Sequence, residues 1–289
     1  MKREQQEVLS LLKEIDKICR KNKIPYYLSP QLTLCGVTGQ PFPQDPLCGV
    51  VLMKTGDMER FRIAFEADPP KRRTLESMKN NKRFPGLYLR YENMDTLCFR
   101  LDEGRNFRYP GMGVDILPLR GKIASRKGHL WNRALEVGWQ QSCYLYNNKP
   151  GLSGMLCKLP VRLLSLGGRA RLGKRLYEKF VERQDTKGSD EYVLRLNRTE
   201  TLYYPAEIFK KTAQLELEGS KFMVPDGKIW YLQKTYGSDY ENVPAEEPKP
   251  DWTVMTSALV SYEDYFQETG SLKKLIKARR RQYLKDSIG

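Results

Sequence analysis

The sequence predicts an α+β protein in which a small mixed sheet is flanked by helices and followed by a helical C-terminal portion. Three observations carry this. Strand-like apolar runs crowd into the first 120 residues, and segments of helical periodicity dominate afterward. No repeat of fixed period interrupts that order. A hydrophobic share of 40% and an aromatic share of 11% in 289 residues supply a packed core and argue against disorder.

Residues 3–22 open the chain as an amphipathic helix, with Val8, Leu11, Leu12, Ile15, Ile18 and Cys19 on one stripe. Pro25 stops it, and Ile24 to Leu28 reads as a short strand. Ser29 to Gly49 is rich in glycine and proline and reads as irregular, with a turn over residues 32–36. Val50 to Met53 is a continuously apolar strand, and Asp57 to Glu66 a helix with Met58, Phe61 and Phe65 inward. Pro69 to Pro85 is basic and turn-rich. Strands are expected at 87–91, 96–101 and 113–119, the last ended by Pro118. Helices follow at 130–146, at 160–183 and, strongly basic, at 271–285, with mixed structure over 203–237 and a loop at 246–252. This divides the chain into a core over 1–150 and a mostly helical portion over 151–289 packed on it.

Composition excludes several classes. Cys19, Cys35, Cys48, Cys98, Cys143 and Cys157 include no C-x-x-C pair, which speaks against a zinc knuckle and a secreted disulfide framework. The charged N-terminus is unlike a signal peptide, and no apolar stretch is long enough to span a bilayer. A cytoplasmic protein is expected, with peripheral attachment at the inner face of a membrane left open. His129 is the single histidine, so chemistry here turns to carboxylates and a metal. The net charge of +15 points to an anionic partner.

Several motifs occur in a telling order. The first helix is followed by Ile24-Pro25-Tyr26-Tyr27-Leu28, by Leu32-Thr33-Leu34-Cys35-Gly36 and by Pro41-Phe42-Pro43-Gln44-Asp45. Val114-Asp115-Ile116-Leu117-Pro118-Leu119 comes later, then Tyr204-Pro205-Ala206-Glu207-Ile208-Phe209, Leu217-Glu218-Gly219, Val224-Pro225 and Tyr236-Gly237. In this the chain resembles the LicD family over roughly residues 5–248. These are proteins of the nucleotidyltransferase fold that transfer phosphocholine or related alcohol phosphates from a CDP-activated donor to glycans. The resemblance implies a nucleotidyltransferase-like core that serves in decorating cell-surface glycans such as teichoic acid, capsule or lipopolysaccharide. It also implies a Mg²⁺ or Mn²⁺ site with Asp45 and Asp115 as metal ligands and catalytic carboxylates. Thr33, Gly36, Glu218 and Tyr236 would then lie at the substrate.

Such chemistry needs two carboxylates two residues apart on one strand, which places both on one side of the sheet, and a third from a neighbouring strand. A Gly-rich turn before them admits phosphates to the backbone N–H groups. The chain departs from the family at both places. Ser29-Pro30-Gln31 stands where paired glycines belong, and proline has no N–H to offer. Gln44-Asp45-Pro46-Leu47-Cys48-Gly49 stands where an acidic run belongs. Two readings remain: an active transferase in which Asp57, Asp95 or Asp102 replaces the missing carboxylates, or a catalytically impaired relative that keeps the fold and binds a ligand or partner. The incomplete acidic motif favours the second.

The positive charge gathers at Lys71–Arg83 and along the helices expected at 160–183 and 271–285, the first with an apolar side of leucines and Phe180 and the second with Leu272, Leu275, Ile276 and Leu284 beside its charges. Basic amphipathic helices suit an anionic membrane surface. Nucleic-acid binding ranks last, since no RNP, KH, zinc-finger or helix-turn-helix signature accompanies the charge.

Overall fold

A computed structural model of the chain describes residues 1–45, 48–81, 84, 86–100, 111–122, 189–195, 201–245 and 254–269, with isolated positions 178, 274, 277, 278 and 281. The expected helix at 130–146, nearly all of those at 160–183 and 271–285, the loop at 246–252, His129, Asp102, Cys143 and Cys157 lie outside the described residues.

The fold is α+β, as the sequence predicts. Its main sheet is mixed. The strands β1 (Tyr27–Leu28), β2 (Val50–Lys54), β6 (Met112–Gly121), β4 (Leu89–Asn93) and β3 (Arg73–Glu76) lie side by side in that order. β2 and β6 are parallel, and the other pairs in this row are antiparallel. β7 (Glu191–Arg195) joins the far end of β6, and β8 (Thr201–Pro205) joins β7. The sheet thus continues across residue 150, where the sequence suggested a boundary, and the described part of 151–289 adds strands to the core rather than helices alone. β9 (Thr212–Leu217) and β10 (Ser220–Pro225) form a separate hairpin, and β11 (Val254–Ser257) pairs with β5 (Leu97–Arg100).

Period-two alternation divides the central strands between two cores. Val51 and Met53 of β2 and Met112, Val114 and Ile116 of β6 point to the first, where α1 (Arg3–Lys21) and α3 (Thr55–Ala67) cover them. Val8, Leu11, Leu12 and Ile15 of α1 and Met58, Phe61 and Phe65 of α3 are the covering side chains, in the stripe the sequence shows. Leu52 and Leu119 point the other way, toward a second core built with Tyr204, Phe209 and Tyr231. There Phe209 packs edge-on against Tyr27 at 5.0 Å and Tyr231 at 5.6 Å between ring centroids.

Three elements differ from expectation. The irregular stretch after Ser29 contains a helix, α2 (Pro30–Thr38). The Ser29 hydroxyl accepts a hydrogen bond from Leu32 N at 3.3 Å, and Pro30 takes the first helical position, where the lost N–H has no partner to miss. Residues 32–36 are therefore helical, not a turn. The basic stretch 69–85 contains β3. And β6 continues through Pro118. Asp115 N donates to Gly49 O at 2.8 Å, so in this parallel ladder Asp115, Leu117 and Leu119 face β2, and Pro118 falls on the other edge between the end of the β4 pairing at Ile116 and the start of the β7 pairing at Arg120. The ladder to β2 therefore runs unbroken past the proline.

Candidate functional site

Register brings four residues into one row across the second face of the sheet. Val50 of β2 pairs with Asp115 of β6, Asp115 with Arg90 of β4, and Arg90 with Glu76 of β3. Leu89 and Tyr91, the neighbours of Arg90, point into the first core, so Arg90 and Glu92 share the face of Asp115. The Arg90 guanidinium lies between two carboxylates. Its Nη1 donates to Asp115 Oδ1 at 2.8 Å and its Nε to Glu92 Oε1 at 2.6 Å. Gly113, opposite Glu92, leaves room for this: a Cβ there would stand 3.1 Å from Arg90 Nε and 3.0 Å from Glu92 Cγ.

The electrostatics follow from burial. The Glu92 side chain is only 2% exposed, and desolvation pushes its carboxyl up to about 8, against the pull of Arg90 and with the push of Glu76 and Asp115. Burial thus favours the protonated form of Glu92, and among the described residues its buried Oε2 has no hydrogen-bond partner. Asp115, with 23% of its side chain exposed, is also raised by desolvation, and the Arg90 guanidinium opposes that shift. Burial works against the charge on Arg90, but Asp115 and Glu92 more than offset it and hold the guanidinium protonated. The net arrangement is an internal pair, Arg90⁺ with Asp115⁻.

A divalent ion does not fit these residues. Arg90 already supplies the positive charge at Asp115, and the ladder neighbour on β2, where a partner carboxylate would stand, is Val50. Among the described residues no three His, Cys, Asp or Glu side chains gather as a metal-binding group. Asp57 pairs with Arg60 at 2.9 Å on α3, and Asp95 with Arg72 at 2.8 Å. Both are thereby committed to arginines outside the Asp115 row.

The remaining candidates fall in different places. Asp45 is exposed, and its backbone carbonyl accepts from Cys48 N at 3.0 Å in a turn. Gln5 of α1 anchors that segment by donating to the carbonyls of Phe42 and Pro43 at 2.9 and 3.1 Å. Burial pushes the Cys98 thiol up to about 12, with Arg90 opposing the shift and Glu92, Asp45 and Asp115 adding to it. Thr33 is fully buried, and its hydroxyl donates to Leu28 O at 3.3 Å, which makes it part of the scaffold. Gly36 is a packing position, because a Cβ there would meet Leu215 Cδ2 at 2.7 Å. Glu218 and Gly219, at φ 49° and 68°, form the left-handed tip of the β9–β10 hairpin. Tyr236, at the end of α4 (Lys228–Tyr236), lines a cavity of about 790 Å³ with Gln31, Gln40, Phe42, Gln44 and Pro244. None of the described residues lining that cavity is charged. A second cavity, of about 880 Å³, has Lys54, Arg60 and Lys210 interspersed with Asp57, Asp190 and Glu207.

Glu92 and Arg90 escaped the sequence reading. The signal available was the alternation Leu89-Arg90-Tyr91-Glu92, in which opposite charges two residues apart share a strand face between apolar neighbours.

Compared with protein-family models, with curated proteins and with solved structures, the chain matches none of them.

Proposed function

We propose that the chain is a LicD-like, nucleotidyltransferase-type protein of cell-surface glycan decoration that has become a binding protein. In this reading it assists alcohol-phosphate transfer from a CDP-activated donor without running the metal-dependent step itself. The observation that carries the reading is the Arg90–Asp115 pair, 2.8 Å apart. A guanidinium at the carboxylate that the family resemblance assigns to metal neutralises it internally, and Val50 offers no second ligand beside it. The cavity at Tyr236, whose described lining carries no charge, supports a ligand site for the neutral part of such a donor or of its glycan acceptor.

The test is label transfer from CDP-choline or another CDP-alcohol in the presence of Mg²⁺ or Mn²⁺, beside calorimetric binding of the same compounds without metal. Binding without turnover is expected. Turnover that Asp115→Asn abolishes, in a variant that stays folded, would establish the active transferase instead. The anionic membrane surface proposed for residues 160–183 and 271–285 remains a proposal on the sequence alone, and nucleic acid remains the least favoured partner.

A further inference from the structure

We infer that α4 presents a docking surface for anionic phospholipid membranes, with Trp230 and Ile229 entering the lipid and lysines around them meeting the headgroups. This goes beyond the proposed function and does not depend on it.

The helix is held firmly from one side. Tyr231 and Leu232 are fully buried, and the Tyr231 hydroxyl donates to Leu28 O at 3.3 Å. The preceding pair of residues faces outward: Ile229 is 42% and Trp230 40% exposed, two large apolar side chains adjacent on the first turn. The rigid anchoring matters because side chains fixed in an outward position lose little freedom when they enter a second phase.

The surroundings are cationic. Lys228 and the exposed Lys234 lie on the same helix. Exposed Lys210 and Lys211 come from the segment packed at its start, where Asp226 N donates to Lys211 O at 3.1 Å and Ile208 lies against Gly227. Against these four lysines stand, among the described residues nearest them, three acids, Asp226, Glu207 and Asp190, and Glu207 is paired with Lys210 at 3.0 Å. The local excess has the sign of the whole chain, +15.

Two apolar side chains are too few for a stable protein interface, which buries about 1,200–2,000 Å² with a sizeable apolar centre. They are enough for an interfacial membrane contact. Indole prefers the headgroup boundary, where its ring is covered and its N–H stays hydrated. Each lysine near an anionic leaflet adds about fivefold to the binding constant at moderate salt. The combination of a tryptophan wedge and a lysine rim therefore fits an anionic bilayer better than a neutral one or a protein.

The experiment uses the full chain and vesicles of phosphatidylcholine with or without 30–40% phosphatidylglycerol, a composition of roughly the charge density of anionic leaflets. Co-sedimentation should show binding to the anionic vesicles only, weakened by salt. The double variant Ile229→Ser/Trp230→Ser should bind at least tenfold more weakly with an unchanged circular dichroism spectrum. Brominated lipid should quench wild-type fluorescence more than that of Trp230→Phe, a readout that does not depend on the double variant folding. Equal binding of the double variant and wild type would overturn the inference and assign attachment to another basic segment. Absence of binding to anionic vesicles would overturn it outright, as would self-association that the double variant abolishes, which would make the face a contact between copies.

Discussion

Arg90 and Asp115 are 25 positions apart in sequence and 2.8 Å apart in space, and the pairing depends wholly on the antiparallel register of β4 with β6. Had β4 slipped by one residue, Arg90 would face the first core and Asp115 would keep its negative charge on the open face. The guanidinium is shared with Glu92, so one cation serves two buried carboxyl groups.

Removing that cation should be costly. Arg90→Met leaves Asp115 without its partner and Glu92 without the hydrogen bond to Nε. The expected loss is about 3–5 kcal/mol of unfolding free energy, the range for breaking a buried pair from one side. Urea unfolding measures it, and a double-mutant cycle isolates the pair. Asp115→Asn should cost clearly less in the Arg90→Met background than in the wild type. Equal costs in both backgrounds would mean that the two side chains do not interact.

Glu92 gives the fold a pH dependence of known sign. Its folded carboxyl is raised from an ordinary 4.5 to about 8, so the folded state binds a proton that the unfolded state releases. That contribution to stability is complete below the ordinary carboxyl range and is lost as pH rises to about 8. One proton corresponds to a slope of at most about 1.4 kcal/mol per pH unit. Glu92→Gln keeps the shape and removes the titration, so the stability of the variant between pH 5 and pH 8 should fall less steeply than that of the wild type. Urea midpoints at matched ionic strength read the difference, and parallel profiles would place the proton elsewhere.

The same pair shows what a linear sequence carries and what it withholds. Helix α1, strand β2 and helix α3 were legible because each is written in local periodicity, with Val8, Leu11 and Ile15 on one stripe and Val50 to Met53 apolar throughout. Pro30 and Pro118 misled for one reason. Proline disrupts a helix or sheet only where its N–H would have bonded: Pro30 sits where the helix needs no donor, and Pro118 turns its nitrogen away from the β2 ladder. The candidate site was half legible. Asp115 stands out on its strand, whereas Arg90 at Asp115 requires the register of β4, which no local pattern specifies. Thr33 and Gly36 look like ligand contacts in a motif, and only the burial of the one and the close approach of Leu215 to the other reveal their packing.

The hidden helix can be tested through its cap. Ser29→Ala removes the hydroxyl that accepts from Leu32 N and leaves a buried N–H without that partner. A loss of about 0.5–2 kcal/mol is expected, and Ser29→Asp should retain more stability than Ser29→Ala because a carboxylate can cap the same N–H. Thermal or urea unfolding of the two variants checks the order. Indistinguishable variants would mean that Pro30 alone starts α2.

The tight opposition of Gly113 and Glu92 offers a probe of the site without changing any charge. In Gly113→Ala the new Cβ would stand 2.8 Å from Tyr91 O, with Arg90 Nε and Glu92 Cγ scarcely farther. Backbone cannot yield as a side-chain tip can, so the strands must separate or the guanidinium must move. A cost of about 1–3 kcal/mol is expected, as for other overpacked positions. Accompanying it, the pH slope assigned to Glu92 should change, since its desolvation and its bond to Arg90 both depend on the crowding. Loss of stability with an unaltered pH slope would show that the strain is absorbed by the backbone alone.

The idea that Arg90 stands in for a metal ion makes a constructive prediction. Val50 and Asp115 are cross-strand neighbours, and their side chains project from the same face. In the double variant Val50→Asp/Arg90→Met two carboxylates would face each other with no cation between them. Like charges that close raise one another's pKa and attract a divalent ion, which supplies the charge the guanidinium gave. Mn²⁺ titration followed by electron paramagnetic resonance should show a bound ion in the double variant and none at this position in the wild type or in Val50→Asp alone, where Arg90 still neutralises the site. Thermal unfolding offers a second reading: Mn²⁺ should raise the melting temperature of the double variant and leave that of the wild type unchanged. A double variant that folds and ignores Mn²⁺ would separate this face from the metal-binding geometry that the family resemblance implies, and the reading of the chain as a metal-free relative would lose its structural basis.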